Sequence, residues 1–211
     1  MNVYLPIKRF IDLFLSIILI IILSPLFLII ALLIKIDSPG PILYKQLRTG
    51  KNEDDFTVLK FRSMSATNDV YDFSTKDRIT KVGRIIRKTS LDELPQLFNI
   101  IKGDMSFIGP RPWVPILNIY YTPDQRKRFQ VRPGLTGIAQ VSGRKDLNII
   151  DRIAYDIKYV ENISFINDVK IFLKTILVII KNSDNTRDNY TLEDEINDLE
   201  NHYNECFIKE N

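Results

Sequence analysis

The chain has a single cysteine, Cys206, and a single histidine, His202, among its 211 residues. One cysteine cannot form an internal disulfide, and so few of both residues exclude zinc sites built from cysteine and histidine clusters. The sequence also has no zinc-finger, helix-turn-helix or RNP-type pattern, so it gives no support for a nucleic-acid partner. With 45% hydrophobic and 26% charged residues it is not a disordered chain, and its length suits one folded domain with appendages.

Charge is unevenly distributed along the sequence. Residues 186–211 contain two cations against eight carboxylates, a net charge of −6, whereas the whole chain carries +3. Residues 1–185 therefore carry +9. A basic body suits anionic partners such as lipid headgroups, nucleotides and phosphates.

A long apolar run lies near the N-terminus. From Leu13 to Ile34 almost every residue is apolar, and this length matches the roughly 20 residues that a helix needs to cross a bilayer. A signal peptide is disfavoured, because the following Asp37-Ser38-Pro39-Gly40 does not resemble a small-residue cleavage site. The simplest interpretation is a single transmembrane helix.

Two features favour instead a segment that enters and leaves the membrane on one face. Pro25 has no N–H for the carbonyl of Ile21, so the helix should kink there, and Ser24 or a neighbouring helix would have to satisfy the freed group. Cations flank the run on both sides: Lys8, Arg9, Lys35, Lys45 and Arg48. Such flanks favour the cytoplasmic side, and only a re-entrant hairpin puts both there. The residues alone leave hairpin and span equally open.

The rest of the sequence predicts a small hairpin and several short helices. Strand-like runs from Ile42 to Lys45 and from Phe56 to Phe61 are separated by a loop signal, which predicts a β-hairpin. Helical patterns cover residues 81–87, 91–101, 124–131, 151–160 and 168–181, and an extended segment is predicted at 138–141 after a turn-rich loop. The 168–181 helix is too short to span a membrane, so it is either interfacial or an ordinary buried helix.

The acidic tail predicts one more helix. Thr191 and Asp194 form a start signal, and apolar residues recur at helical spacing from Leu192 to Tyr203. Such an amphipathic helix should pack either on the body or on a second copy of the chain, which would make a homodimer.

Two adjacent carboxylates, Asp92 and Glu93, lie in the segment SLDELPQLFNIIKGDMSFIGPRP at residues 90–112. Capping explains one of them. Ser90 as N-cap would let Glu93 complete a capping box, whereas Asp92 as N-cap would place Pro95 in the first turn, where proline is tolerated. Capping does not easily explain both, so the pair alone leaves capping and function equally open.

Cations surround this pair in the sequence: Arg84, Arg87 and Lys88 before it, and Arg111 after it. A carboxylate repels a phosphate, so attack on a phosphate needs arginines or a divalent ion to neutralise the oxygens. Because histidine and cysteine clusters are absent, the ion would be bound by oxygen, and Mg²⁺ held by Asp92 and Glu93 is expected. The pattern predicts phosphate chemistry at a membrane surface.

These motifs resemble those of a known family. The chain is similar to bacterial sugar transferases of the small monotopic phosphoglycosyl transferase type, which move a sugar phosphate from a UDP-sugar to polyprenol phosphate. The resemblance covers roughly residues 5–180. Its most specific part is the block at 90–112; the other matching stretches are Lys8-Arg9, Ser24-Pro25 and residues 37–41, 60–64, 131–144 and 159–170.

The resemblance implies a role for each matching residue. Asp92 matches the nucleophile that attacks the β-phosphate, releases UMP and holds a covalent phosphosugar until undecaprenyl phosphate attacks in turn. Glu93 matches the second member of the dyad, a metal ligand or proton acceptor. The charged positions expected around the phosphates are Arg87, Arg111, Arg144 and Lys60, with ordinary ion pairs as the alternative for the arginines, and Asp168 is a supporting position.

The resemblance also implies an architecture and a setting. A mostly helical α+β fold is expected, with a re-entrant membrane helix at 1–36, a catalytic domain at 37–185 containing a small hairpin and amphipathic interfacial helices, and an acidic tail at 186–211. Ser24-Pro25 matches the break in the family's re-entrant helix, which favours the hairpin and puts the catalytic domain on the cytoplasmic face of the inner membrane.

The expected donor is a UDP-linked acetamido sugar, possibly 6-deoxy, for the first membrane step of glycoconjugate or polysaccharide synthesis. Two other readings compete with the transferase. One is a membrane-anchored scaffold on a decayed core. The other is a phosphatase that uses water as the acceptor.

Overall fold

In the computed structural model, the described residues are 3–65, 78–143, 147–180 and 191–208. Over these ranges the chain is mostly helical, with two small two-stranded sheets. This confirms the predicted mixed and mostly helical class. Arg144, one of the predicted phosphate ligands, lies outside the described residues.

The apolar run forms one long helix, α1, at Tyr4–Asp37. Its 34 residues would extend about 51 Å at the usual rise per residue, more than the hydrocarbon core of a bilayer. Pro25 lies inside this helix, and the hydroxyl of Ser24 donates to the carbonyl of Ile21 at 2.9 Å. Ser24 therefore satisfies the carbonyl that the proline leaves free, one of the two routes that the sequence allowed.

Both ends of α1 contact the same folded body. Near its start, Arg9 donates to the carbonyls of Ile100 and Ile101 at 2.6 and 2.9 Å. At its end, the carboxylate of Asp37 accepts from the N–H of Val82 at 2.9 Å. Both ends of the helix are therefore held by one folded body.

The predicted β-hairpin is confirmed. Strand β1, Leu43–Thr49, pairs antiparallel with β2, Asp55–Phe61, from the Leu43–Phe61 pair to the Thr49–Asp55 pair. The first strand is longer than predicted, since its pairing continues past Lys45. The sheet gives the body a rigid edge next to the 90–112 segment.

Four predicted helices are present close to their predicted bounds: α2 at Lys81–Lys88, α5 at Ile149–Glu161, α6 at Phe165–Ile180 and α7 at Leu192–Ile208. Helix α7 begins as predicted, because the carboxylate of Asp194 accepts from the N–H and hydroxyl of Thr191 at 2.6 and 2.8 Å. The helical pattern at 124–131 corresponds to a short 3₁₀ helix at Gln125–Gln130.

The predicted helix at 91–101 is divided in two. A 3₁₀ turn at Leu91–Glu93 carries the two carboxylates, and α3 follows at Gln96–Lys102. Both capping predictions are wrong: Ser90 makes no side-chain cap and has a φ of 56°, and the N-cap of α3 is Pro95 rather than Asp92. Since neither carboxylate caps a helix, capping no longer accounts for the pair.

The prediction of an extended segment at 138–141 is also wrong, because these residues begin helix α4 at Ile138–Ser142. The extended backbone lies just before it, in β4 at Gly134–Thr136, which pairs in parallel with β3 at Ser106–Ile108. The two backbone segments approach closely here, because a Cβ on Gly134 would lie 2.1 Å from the backbone nitrogen of Gly109. This contact leads directly into the turn that contains Arg111.

Two apolar clusters support the region around the carboxylates. One combines β2, α3 and neighbouring residues: Phe56, Val58, Leu97, Ile100 and Met105, with Leu19, Ile20 and Phe27 of α1 packed against them. The other surrounds Trp113 and includes Leu117, Tyr121, Phe129, Ile149, Ile153 and Leu199. Leu199 belongs to α7 and is fully buried, so within the chain the tail helix packs on the body.

Helix α6 exposes a broad apolar surface. Only Asp168 and Ile171 of its residues are buried. The large side chains at least 39% exposed are Phe165, Ile166, Val169, Phe172, Leu173, Ile176, Leu177, Ile179 and Ile180. The helix is therefore not buried within the described part of the chain, and its interfacial placement stays a prediction.

Candidate active site

The two adjacent carboxylates lie in different surroundings. Glu93 accepts from the ammonium of Lys60 at 2.7 Å and from the guanidinium of Arg111 at 3.4 Å. Burial alone would raise the pKa of Glu93, but the charges of Lys60 and Arg111 outweigh it and lower the pKa to about 2. Glu93 therefore stays ionised at physiological pH and holds two cations beside its neighbour.

Asp92 accepts no side-chain hydrogen bond from the described part of the chain. Burial raises the pKa of its carboxyl, and the negative charge of Glu93 raises it further, against the weaker opposing effect of Lys60 and Arg87. A carboxylate with a raised pKa and unoccupied lone pairs binds an electrophile more strongly than an ordinary aspartate. These are the properties that a nucleophilic carboxylate needs.

Local backbone geometry places both carboxylates on a short turn. Ser90, which precedes the 3₁₀ turn, has a left-handed backbone conformation that is uncommon for a residue other than glycine. Such a conformation costs on the order of 1–3 kcal/mol and persists only where the surroundings enforce it. Here it reverses the chain after α2 and presents Asp92 and Glu93 together on a short turn instead of on a regular helix.

Lys60 is placed by the packing of β2 under α3. Along the strand it shares one face with Phe56 and Val58, which are buried in the core. The side chain of Asn99 locks the two elements together: its Nδ2 donates to the carbonyl of Thr57 at 2.7 Å, and its Oδ1 accepts from the N–H of Leu59 at 3.0 Å. The lysine therefore emerges from a fixed strand directly beneath Glu93.

Arg111 is placed through its backbone. Its carbonyl accepts from the guanidinium of Arg128 at 2.6 Å, and Arg128 is paired with Asp156 at 2.7 Å. The side chains of Arg128 and Asp156 are only 1% and 2% exposed. The Arg111 side chain itself is 47% exposed, so its guanidinium is open to an incoming anion while its backbone is held from behind.

The predicted site residues do not all meet. Lys60, Arg87, Asp92, Glu93 and Arg111 come together, with Arg87 exposed and acting on Asp92 through its charge.

Asp168 lies in a different group. It accepts from Lys8 at 2.6 Å, from Tyr4 at 2.7 Å and from Tyr159 at 2.9 Å. This network ties the start of α1 to α5 and α6, so the contacts of Lys8 and Asp168 belong to the attachment of the long apolar helix to the body.

Sequence reasoning missed Asn99, Arg128 and Asp156, which position the site, and it took Arg48 only as a flanking cation. Arg48 donates to the carbonyl of Pro112 at 3.4 Å, next to Arg111. Arg128 was hidden because its neighbours Arg126 and Lys127 make the segment resemble a basic surface helix. A buried arginine and its partner 28 residues away leave no local signal in the sequence.

The donor set beside Asp92 is compatible with Mg²⁺. The part of the chain that the structure describes contains no group of three or more potential ligands among histidine, cysteine, aspartate and glutamate. Mg²⁺ in phosphate sites commonly uses only one or two carboxylates and completes its shell with water and substrate phosphates. Asp92 has oxygens to spare for such an ion, and in Glu93 both Lys60 and Arg111 contact Oε1, which leaves Oε2 for it.

Comparison with known proteins identifies the family. A family model described as bacterial sugar transferase matches residues 3–182. The chain belongs to this family. The match includes the dyad, the hairpin and the long apolar helix, and it stops before α7.

Curated relatives of the family cover most of the chain. The UDP-glucose:undecaprenyl-phosphate glucose-1-phosphate transferase of Caulobacter vibrioides is 43% identical over 181 residues, which are 80% of this chain and 68% of that protein. The exopolysaccharide production protein PSS of Rhizobium leguminosarum is 40% identical, over 82% of this chain and 94% of that protein. The undecaprenyl-phosphate galactose phosphotransferase of Salmonella typhimurium is 42% identical, but the chain spans only 40% of its length.

Proposed function

We propose that this protein transfers a sugar phosphate from a UDP-sugar to undecaprenyl phosphate and releases UMP. The observation that carries the proposal is the pairing of Asp92, with its raised pKa, with a Glu93 that holds Lys60 and Arg111 at 2.7 and 3.4 Å. The printed activities of the Caulobacter and Salmonella relatives support the same reaction class. A binding scaffold would have no use for a desolvated carboxylate beside cations held by a second carboxylate.

In the first step, an oxygen of Asp92 attacks the β-phosphorus of the donor. A bond forms between that oxygen and phosphorus, the bond to the bridging oxygen of the α-phosphate breaks, and UMP leaves with the electron pair. Lys60, Arg111 and Arg87 neutralise the phosphate oxygens, which would otherwise repel the carboxylate.

In the second step, a phosphate oxygen of the lipid attacks the phosphosugar on Asp92 and restores the free carboxylate. The products are undecaprenyl-diphosphate-sugar and UMP. No net proton is consumed when the lipid phosphate reacts as a dianion, so the site needs no dedicated proton shuttle.

Mg²⁺ belongs to this proposal as a cofactor held by Asp92 and Glu93. When bound, it would add positive charge at the phosphate oxygens. The test is transferase activity in excess EDTA: activity should disappear and return with added Mg²⁺, and undiminished activity would remove the metal from the proposal.

The membrane setting is proposed as a re-entrant α1 on the cytoplasmic face of the inner membrane, with α6 in the interface. The contacts of Arg9 and Asp37 with one body support it, and so does the apolar surface of α6. In a Cys206→Ser background, a cysteine placed at Val3 should react with a reagent only after the cytoplasmic side is made accessible. Labelling from outside in intact cells would contradict the re-entrant topology.

The donor is proposed to be an acetamido sugar, and the reaction to initiate a polysaccharide or glycoconjugate. The deciding experiment measures UMP released by detergent-solubilised protein with Mg²⁺, undecaprenyl phosphate and a panel of UDP-sugars, using Asp92→Asn as the matched inactive variant. The expected result is repeated turnover that requires the lipid and stops in Asp92→Asn, since without lipid the first step alone releases at most one UMP per protein molecule. Multiple-turnover release without lipid phosphate would indicate a hydrolase, and full activity in Asp92→Asn would remove that residue as nucleophile.

A further inference from the structure

A cavity of about 220 Å³ opens beside the candidate active site. Its position follows from Arg111, which lines the cavity and also pairs with Glu93. The other lining residues used below are Gln46, Arg48, Trp113, Leu192 and Glu195. The volume equals that of about seven liquid water molecules, enough for a small ring with polar substituents.

The cavity is lined by charges of both signs. Arg48 and Arg111 contribute two guanidinium groups, and Glu195 contributes a carboxylate that interacts with both through its charge. A carboxylate repels a phosphate but accepts hydrogen bonds from hydroxyl and amide groups. The cavity is therefore suited to the part of the donor next to the diphosphate rather than to another phosphate.

Arg48 brings unused donors to the cavity. Its guanidinium donates to the side chain of Gln46 at 2.6 Å and to the carbonyl of Pro112 at 3.4 Å, and desolvation together with the charge of Arg111 lowers the pKa of Arg48 to about 10. A guanidinium has five N–H donors, so a ligand rich in acceptors would be favoured here.

The outer wall of the cavity comes from the tail helix. Leu192 and Glu195 lie in the first turn of α7, which is held on the body by the buried Leu199 and by an ion pair from Glu195 to Arg152 at 3.0 Å. Helix α7 begins after residue 182, where the family match ends. Between the Caulobacter and Salmonella relatives, the printed names differ in the sugar (glucose or galactose), whereas undecaprenyl phosphate recurs.

We infer that this cavity is the subsite for the donor sugar and that Leu192 and Glu195 of the tail helix determine which sugar fits. The inference rests on the proposed transferase function. The wall formed by α7 lies outside the family match, and the sugar is the part of the donor that differs among the relatives, so we assign the one to the other. The oxygens of the sugar ring accept hydrogen bonds from the guanidinium groups of the cavity. The carboxylate of Glu195 then accepts from a sugar hydroxyl or from an acetamido N–H.

The test measures, by calorimetry, the affinities of UDP-sugars and of UMP for the full-length protein in detergent, with every variant made in an Asp92→Asn background so that the bound UDP-sugar is not consumed. Leu192→Trp fills the cavity, Glu195→Gln removes the acceptor charge, and Glu193→Gln is a matched control on the exposed face of the same helix. Leu192→Trp should keep the sugar out of the cavity and so break its hydrogen bond to Glu195. Binding of the preferred UDP-sugar should weaken about tenfold or more, roughly the loss of one charge-assisted hydrogen bond, and UMP binding should be unchanged. Glu195→Gln should change the order of preference among UDP-sugars, and Glu193→Gln should behave as wild type.

A parallel loss of UMP affinity in both cavity variants would overturn the inference, because the cavity would then hold the nucleoside. Unchanged donor affinities in both variants would overturn it as well. Near-ultraviolet circular dichroism identifies a misfolded Leu192→Trp protein, in which case Glu195→Gln decides. The proposed function fails separately if wild-type protein binds a UDP-sugar but releases no UMP with undecaprenyl phosphate.

Discussion

The buried pair of Arg128 and Asp156 allows stability and catalytic positioning to be separated. Replacing Asp156 by leucine leaves the Arg128 guanidinium buried without its counterion, which typically costs about 3–5 kcal/mol. Arg128 lies 5.9, 5.6 and 5.2 Å from the ring centres of Trp113, Tyr121 and Phe129. These rings still attract the cation, so the loss should fall near the lower limit, about 3 kcal/mol.

For a chain of this length, such a loss should lower the melting temperature by about 6–12 °C. The double variant Arg128→Met with Asp156→Leu should recover most of this loss, because an apolar pair of similar volume removes both charges together. It cannot restore the hydrogen bond to the carbonyl of Arg111. Its transferase activity should therefore stay about 100-fold low, the effect of a small misplacement of a phosphate-binding group.

The assay combines thermal unfolding in detergent with lipid-dependent UMP release for wild type, the single variant and the double variant. Two results would refute the reasoning. If the double variant is as unstable as Asp156→Leu, the unpaired charge is not the cause of the loss. If the double variant is fully active, Arg128 does not position Arg111.

Three other perturbations test separate parts of the structure. Asp92 must be ionised to attack, so activity should fall as the pH drops through its raised pKa. Glu93→Gln removes the neighbouring negative charge and should move this acidic limb of the pH–rate profile to lower pH. An unmoved limb would contradict the effect of Glu93 on the pKa of Asp92. Leu199→Ala should destabilise the protein by about 2–5 kcal/mol in thermal or denaturant unfolding, and no effect would mean that α7 is detached in solution. Gly134→Ala should lower the melting temperature, because its Cβ would lie 2.1 Å from a backbone atom, and a wild-type value would contradict this close approach.

Local patterns in the sequence predicted the elements whose causes are local. Helices α5, α6 and α7 follow from helical spacing, with a start signal for α7, and the hairpin follows from two strand-like runs around a loop. Residues 138–141 were misread because Ile138 and Val141 favour strands, and only the tertiary context makes them helical. The left-handed Ser90 could not be predicted, because nothing in the neighbouring sequence requires it.

The candidate site also contains residues that the sequence predicts and residues whose role depends on the packing of separate elements. Asp92, Glu93, Arg111 and Lys60 were found from the 90–112 segment and the family resemblance, and the structure brings them together. The residues that hold them in place were not found. Asn99 acts by bridging backbone groups of β2, and these contacts depend on how separate elements pack.

The membrane helix is also part of the interior of the protein. Phe27 of α1 packs its ring against those of Phe61 and Phe98, with centres 5.4 and 5.9 Å apart, and Ile30 and Ile34 are 3% and 2% exposed. Deleting this helix to obtain a soluble fragment would uncover the apolar floor beneath the strand that carries Lys60. Helix α1 and the strand that carries Lys60 therefore share one core, and an unrelated anchor would not replace the packing of Phe27, Ile30 and Ile34 in it.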